Sequence, residues 1–259
     1  MKYFVFSDVH GCYKELIESL TGAGYDNNNE NHKLIFLGDA FDKNKDDYKF
    51  YIFLKEHIEK GKLIWVLGNH DLYLLNVLKS KKINKFCYNT VLNIAKGINN
   101  KVIEIDDCIN ELIKDGLYTI LNEEAKYFFE TEKYVLTHAF IPFNKKELKY
   151  DSNWRSASDS EWQGALNNMK GFKLAIKDKV LVPGKTLVLG HIGAYYGNLT
   201  KFNPELEIDS QEFKNLGKKL MRNAKNNSNY FETFYGEGVI GIDTRCFETG
   251  FVNILIIEE

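Results

Sequence analysis

The sequence predicts a layered α/β fold, and two observations carry that expectation. Short apolar runs rich in β-branched and aromatic residues alternate with stretches of helical length. Five of those runs end in Asp, His or Asn, mostly beside a glycine. The chain has 259 residues, 44% hydrophobic and 14% aromatic, enough apolar material for one large α/β core with a modest appendage.

The predicted strands are residues 3–6, 34–37, 63–67, 134–136, 186–189, 239–242 and 252–257. Helices are expected over 13–20, 47–59, 72–79, 91–97, 109–114 and 160–169. No internal repeat is evident. Residues 201–237 differ in character, with Lys and Asn clusters (Asn223, Lys225, Asn226, Asn227, Asn229) and little periodicity. They are read as a surface loop, a small helical insert or a partly mobile stretch, so the expectation is a single domain over 1–259 with an insertion at about 201–237.

Charge narrows the function classes. A formal net charge of -2 supplies no overall basic field, so non-specific nucleic-acid binding and attraction to an anionic membrane are not expected. The first residues meet Asp8 too soon to form a secretory apolar segment, and no apolar run is long enough to cross a membrane. Cys12, Cys87, Cys108 and Cys246 are scattered without a C-x-x-C pair, which fits reduced thiols and a cytoplasmic setting. Only Arg155, Arg222 and Arg245 are arginines among 34 basic residues, which makes each worth placing.

The chemistry lies in the residues that leave each strand: Ser7-Asp8-Val9-His10-Gly11, Gly38-Asp39-Ala40-Phe41-Asp42, Gly68-Asn69-His70-Asp71, Thr137-His138-Ala139 and Gly190-His191. Ligands of open α/β sheets bind at the carboxyl ends of strands. Carboxylate, imidazole and amide form a hard-to-borderline ligand set suited to Mn²⁺, Fe or Zn²⁺, unlike the thiolates of a structural zinc site. Singly, each segment has a plain alternative as a helix cap, a turn or a core histidine. Together they do not, because four of the six histidines stand at such positions. His32 and His57 do not, and are read as surface or helix residues.

In order, these segments resemble the calcineurin-like metallophosphoesterases, and more narrowly the phosphoprotein-phosphatase branch with its bacterial Ser/Thr phosphatases and symmetrical diadenosine tetraphosphatases. The resemblance runs from Lys2 to about His191 and resumes at Gly241-Ile242-Asp243-Thr244. It implies two packed mixed β-sheets flanked by helices, and two divalent metal ions, Mn²⁺ with Fe or Zn²⁺ as alternatives. Asp8, His10 and Asp39 would hold one metal. Asp39 would bridge to a second, held also by Asn69, His138 and His191. A pair of ions about 3.5–4 Å apart acidifies a bridging water for in-line attack on phosphorus. By the same resemblance His70 would protonate the leaving oxygen, and Asp42 would orient the metal-bound water or tune its neighbours.

Departures from the family pattern bear on the substrate. Lys43-Asn44 replaces Arg-Gly after Asp42, Leu67 replaces the arginine before Gly-Asn-His, Ile192-Gly193 replaces Thr-Pro, and Arg245 replaces a glycine. Lysine offers a point charge where arginine offers a fork. Lys43, Arg155 and Arg245 are the candidate phosphate contacts. For Arg155 the alternative is a loop arginine stacked on Trp154, and for Arg245 an ordinary surface charge. A phosphoserine or phosphothreonine phosphatase is the leading expectation, with a phosphorylated protein or a nucleotide as substrate. A symmetrical dinucleoside tetraphosphate hydrolase is the alternative, and a metal-binding scaffold without catalysis the third reading.

Overall fold

Alternation along β1 (Lys2–Phe6) sends Phe4 and Phe6 to one face and Val5 to the other. The same split holds in β2 (His32–Phe36), where Leu34 and Phe36 side with the phenylalanines and Ile35 with Val5. In this computed structural model, which describes residues 1–259, that alternation builds two sheets packed face to face between helical layers.

The first sheet has the order β3-β2-β1-β9, with β3 at Leu63–Trp65 and β9 at Leu255–Glu258. Its β1, β2 and β3 are parallel, and β9 runs antiparallel to β1. The second has the order β4-β5-β6-β8-β7: β4 (Phe128–Glu130), β5 (Tyr134–Thr137), β6 (Thr186–Leu189), β8 (Val239–Gly241) and β7 (Phe234–Gly236). Its three inner strands are parallel and its two edges antiparallel.

Val5, Ile35, Leu136, Val188, Ile240 and Leu255 form the dry layer between the sheets. Outside the first sheet, Phe6, Phe36 and Trp65 pack under α1 (Tyr13–Gly22), α2 (Asp47–Glu59), α3 (Asn69–Ser80), α4 (Tyr88–Ile98), α5 (Ile105–Lys114) and the short α6 (Leu117–Thr119). Outside the second, Val135, Leu187 and Val239 meet Trp162 of α7 (Asp159–Leu166) and Phe172 of α8 (Gly171–Ile176). Each such fully buried side chain contributes about 1.5–3 kcal/mol. No helix is long and apolar enough to cross a membrane. All four cysteines are buried and free.

The differences from the sequence expectation have physical causes. Helix α3 starts at Asn69 rather than at residue 72, because Gly68 takes the N-cap and the Asp71 carboxylate accepts its N–H at 2.8 Å. Asn69 and His70 therefore sit in a helical first turn. Helix α7 ends at Leu166, which leaves Met169 outside it. In the last strand only Leu255 onward joins the ladder. His57 is in α2 as a helix residue but is buried, with its Nδ1 2.7 Å from the Phe53 carbonyl.

Of the alternatives for residues 201–237, the structure holds the helical one, with an edge strand added. These residues hold the end of α9 (Gly193–Phe202), α10 (Gln211–Arg222), a 3₁₀ stretch at Ala224–Tyr230 and the edge strand β7. Helix α10 is opened by Ser210, whose Oγ accepts the Phe213 N–H at 3.1 Å. It buries Phe213 and Leu220 against Leu199 of α9.

Candidate metal centre

The parallel strands of both sheets point their carboxyl ends at one place, and the loops that leave them touch through the backbone. Asp8 N–H donates to the Gly38 carbonyl at 2.9 Å, His10 N–H to the Asp39 carbonyl at 3.0 Å, and Gly190 N–H to the His138 carbonyl at 2.7 Å. Glycine is required where the loops press closest. A Cβ on Gly68 would collide with the Asp39 carboxylate, and one on Gly190 with Ser7 and Asp8.

Backbone strain is concentrated here as well. Asp8, His10, Asp39, Asp42 and His191 have φ of 52°, 47°, 60°, 95° and 64°. For side-chain-bearing residues such conformations cost roughly 1–3 kcal/mol each, and they gather where a site demands them.

Fixed hydrogen bonds set the tautomers. Nδ1 of His138 lies 2.7 Å from the Leu37 carbonyl, which can only accept, so that nitrogen carries the proton. The lone pair of its Nε2 then faces Asn69 Oδ1 at 3.0 Å, His191 Nδ1 at 3.2 Å and Asp39 Oδ1 at 3.4 Å. The far nitrogen of His191 points its N–H at the Met169 sulfur, 2.8 Å away, and leaves Nδ1 as a lone pair too. His10 repeats the pattern: Nδ1 donates to Asp42 Oδ1 at 2.7 Å and to the Phe41 carbonyl at 2.9 Å, and Nε2 faces Asp39 Oδ2 at 3.7 Å. Around His138, His191, Asn69 and Asp39, lone pairs thus converge on lone pairs in a buried place, while Nε2 of His10 accepts from Lys43. Such an arrangement fits a cation and little else.

The ligating atoms of Asp8, Asp39, His138 and His191 lie within 4.8 Å of one another, and those of His10, Asp42 and His70 form a second such group. Asp39 reaches both, because its carboxylate is also 3.9 Å from His70 Nε2. Burial alone would raise the Asp39 pKa, but His138, His10, His70 and His191 around it hold the carboxyl well below the usual range. Burial and the neighbouring His138 push His191 down to about 4, so its ring is neutral at pH 7. For His70 burial opposes the charge, yet its contact with Asp42 and the field of Asp39 raise the pKa overall. Burial, with Asp8 alongside, holds the Asp243 carboxyl well above its ordinary range.

Ten of the eleven candidate residues singled out in the sequence gather here. Lys43 donates to His10 Nε2 at 2.9 Å, and Arg245 lines the same cavity of about 210 Å³ beside Asp243. Arg155 does not join them. Its guanidinium stacks on Trp154, 4.3 Å from the ring centroid, and is held by Glu130 at 2.8 Å. The phosphate-contact expectation for Arg155 gives way to the stacked loop arginine, because a bidentate carboxylate already occupies the fork.

Two residues that matter here carried no assigned role in the sequence. The Asp71 carboxylate is buried and accepts the N–H groups of Gly68, Asp39 and Ala40, and Trp65 Nε1 at 3.2 Å. It fixes two ligand-bearing loops at once. The run Gly-Asn-His-Asp was its signal: an acid three residues after a glycine N-cap is a capping pattern. Met169, against His191, had no sequence signal.

Among curated relatives, the asymmetrical bis(5'-nucleosyl)-tetraphosphatase PrpE of Bacillus subtilis (strain 168) is 26% identical over 144 residues, 53% of this chain and 54% of that protein. The symmetrical bis(5'-nucleosyl)-tetraphosphatase of Photorhabdus laumondii is 35% identical over 143 residues, 54% of this chain and 45% of that protein. The chain spans about half the length of the curated relatives it matches. A solved protein serine/threonine phosphatase from Saccharomyces cerevisiae is similar at a TM-score of 0.41 and 14% identity, over 74% of this chain and 61% of that one. The family model described as calcineurin-like phosphoesterase matches residues 1–215, which take in every ligand candidate from Asp8 to His191, and the chain belongs to that family.

Proposed function

We propose that this chain is a two-metal phosphoesterase, working as one catalytic domain, that hydrolyses the phosphoanhydride bonds of dinucleoside polyphosphates. The observation that carries the metal part is the convergence of proton-free atoms around His138 Nε2 and the Asp39 carboxylate. In this reading Asp8, His10 and Asp39 hold one divalent cation. Asp39, Asn69, His138 and His191 hold the second. The donor set is oxygen and imidazole, suited to Mn²⁺, Fe or Zn²⁺. Such a pair supplies Lewis acidity, which acidifies water and neutralises phosphoryl oxygens.

The chain's own residues do the rest. His70, with Nδ1 held by Asp42, keeps a proton available and delivers it to the departing oxygen. Lys43 and Arg245 place positive charge on the rim, where phosphoryl oxygens arrive. Asp71 keeps the loops of Asp39 and Asn69 in register, so the ligands meet without reorganisation at binding.

The names of the curated relatives favour the anhydride substrate over the phosphoprotein expected from sequence. A second reading, phosphoserine or phosphothreonine hydrolysis, is supported by the presence of Asp42, which in the structure contacts both His10 and His70. Four free cysteines suit a reducing, cytoplasmic setting.

The test begins with para-nitrophenyl phosphate in the presence of Mn²⁺, Fe or Zn²⁺. Diadenosine tetraphosphate and a phosphopeptide are then ranked by kcat/KM. The proposal expects hydrolysis of the aryl phosphate and a preference for the dinucleotide. A phosphopeptide preference selects the second reading, and no turnover of any substrate with any of the metals leaves the scaffold reading.

A further inference from the structure

Beside the metal cavity lies a second, larger hollow of about 420 Å³, and the two share Met169, Ile192 and Arg245 as a common wall. We propose that this hollow, built by α9 and α10, binds the nucleoside phosphate that leaves from the metal centre. The inference rests on the phosphoesterase reading and names the residues that would choose its substrate.

Three features of the hollow point to that occupant. The first is its floor, which is apolar and aromatic: Ile192, Tyr195, Phe213 and Met221. Gly217 keeps the α10 backbone bare there, since a Cβ would collide with the Tyr195 hydroxyl. A planar base can lie on such a surface, as bases do on aromatic platforms in other proteins.

The second feature is a row of cations. Lys214, Lys218 and Arg222 recur every four residues along α10, all exposed and all lining the hollow. The one acid in the lining, Asp209, is engaged by Lys173 and by the Tyr196 hydroxyl at 3.0 Å. The row therefore keeps its charge for a ligand.

The third is Arg245, at the junction of the two cavities. One of its terminal nitrogens is held by Glu248 at 2.7 Å, while its Nε is buried with no hydrogen-bond partner. Arg245 is the one cation that lines both cavities, and its side chain is 27% exposed, so its guanidinium suits a phosphate that spans the two. Arg245 belongs to both cavities, while the apolar floor and the cations of α10 line the hollow together, so one ligand can meet a face for its base and charge for its phosphates. A volume of this size holds one small ligand in a concave pocket, whereas a phosphopeptide would need an open groove on either side of the phosphorylated residue.

The experiment uses the full chain loaded with Mn²⁺. In the double variant Lys214→Glu/Lys218→Glu, kcat/KM for diadenosine tetraphosphate should fall about tenfold or more relative to kcat/KM for para-nitrophenyl phosphate. AMP should inhibit aryl phosphate hydrolysis by the unaltered protein at about tenfold lower concentration than ribose 5-phosphate does, because only AMP carries a base for the floor. The single variant Met221→Ala should narrow that gap. Equal inhibition by AMP and ribose 5-phosphate overturns the nucleoside assignment. An equal loss on an acidic phosphopeptide also overturns it, leaving only a general anion-attracting face. If the chain turns over no phosphate ester, the phosphoesterase reading fails instead, and calorimetric titration with AMP and ribose 5-phosphate still decides the pocket.

Discussion

Asp42 touches two rings at once: it accepts from Nδ1 of His10 at 2.7 Å and contacts Nδ1 of His70. One carboxylate thereby orients a proposed metal ligand and the proposed proton donor. The two imidazoles sit edge to face, with centroids 5.1 Å apart. Asp42 thus couples the two proposed roles, while His70 itself stands outside the proposed ligand set, which gives the mutations distinct signatures.

Replacing His70 by Asn should lower kcat by ~10²–10⁴-fold on substrates with poor leaving groups, the usual worth of a positioned proton transfer. Para-nitrophenolate leaves without a proton, so the loss should shrink on para-nitrophenyl phosphate. Metal content measured by elemental analysis should stay the same. Equal losses on both leaving groups would count against the acid role.

Asp71→Ala should destabilise the fold by about 3 kcal/mol or more, because it strands three backbone N–H groups and the Trp65 indole in a buried place. Urea unfolding measures the cost. The same variant should bind metal more weakly although Asp71 faces no metal, since it positions the loops of Asp39 and Asn69. Unchanged metal affinity would show those loops to be held by other means.

Arg155→Ala should touch stability and leave the turnover of aryl phosphate alone. The Arg155 hydrogen bond lowers the Glu130 pKa from 4.5 to about 2, against a smaller opposing effect of burial and with Lys185 adding to it. A depressed carboxylate stabilises the fold above its ordinary range and loses that contribution as pH falls from about 4.5 through about 2. The variant should thus be less stable at pH 7, on the order of 1 kcal/mol for a surface cluster. The difference should close toward pH 2. A difference independent of pH would assign the loss to Trp154 stacking instead.

The gathering of the candidate ligands was legible because each stands within a few residues of a strand's carboxyl end, and parallel strands bring those ends together. The fold was legible for the same reason: strands buried on both faces, such as 186–189, read as unbroken apolar runs. What the sequence hid was either short or polar. Edge strands β4 and β7 have three residues each and bury little. Helix α10 was masked by its lysines, although Phe213, Leu216 and Leu220 keep a helical apolar spacing and Ser210 stands as a cap. The two readings of Arg155 could not be separated from sequence, because its partner Glu130 arrives from β4.

The central claim is that Asp39 serves two cations at once. Elemental analysis after dialysis, paired with calorimetric Mn²⁺ titration, tests it on the unaltered chain and on Asp39→Asn. The account predicts two cations per chain, and in the variant a loss of affinity at both sites of about tenfold or more, since an amide gives up the charge shared between them. Two cations bound with unchanged affinity in Asp39→Asn, or a single cation in the unaltered protein, would contradict it.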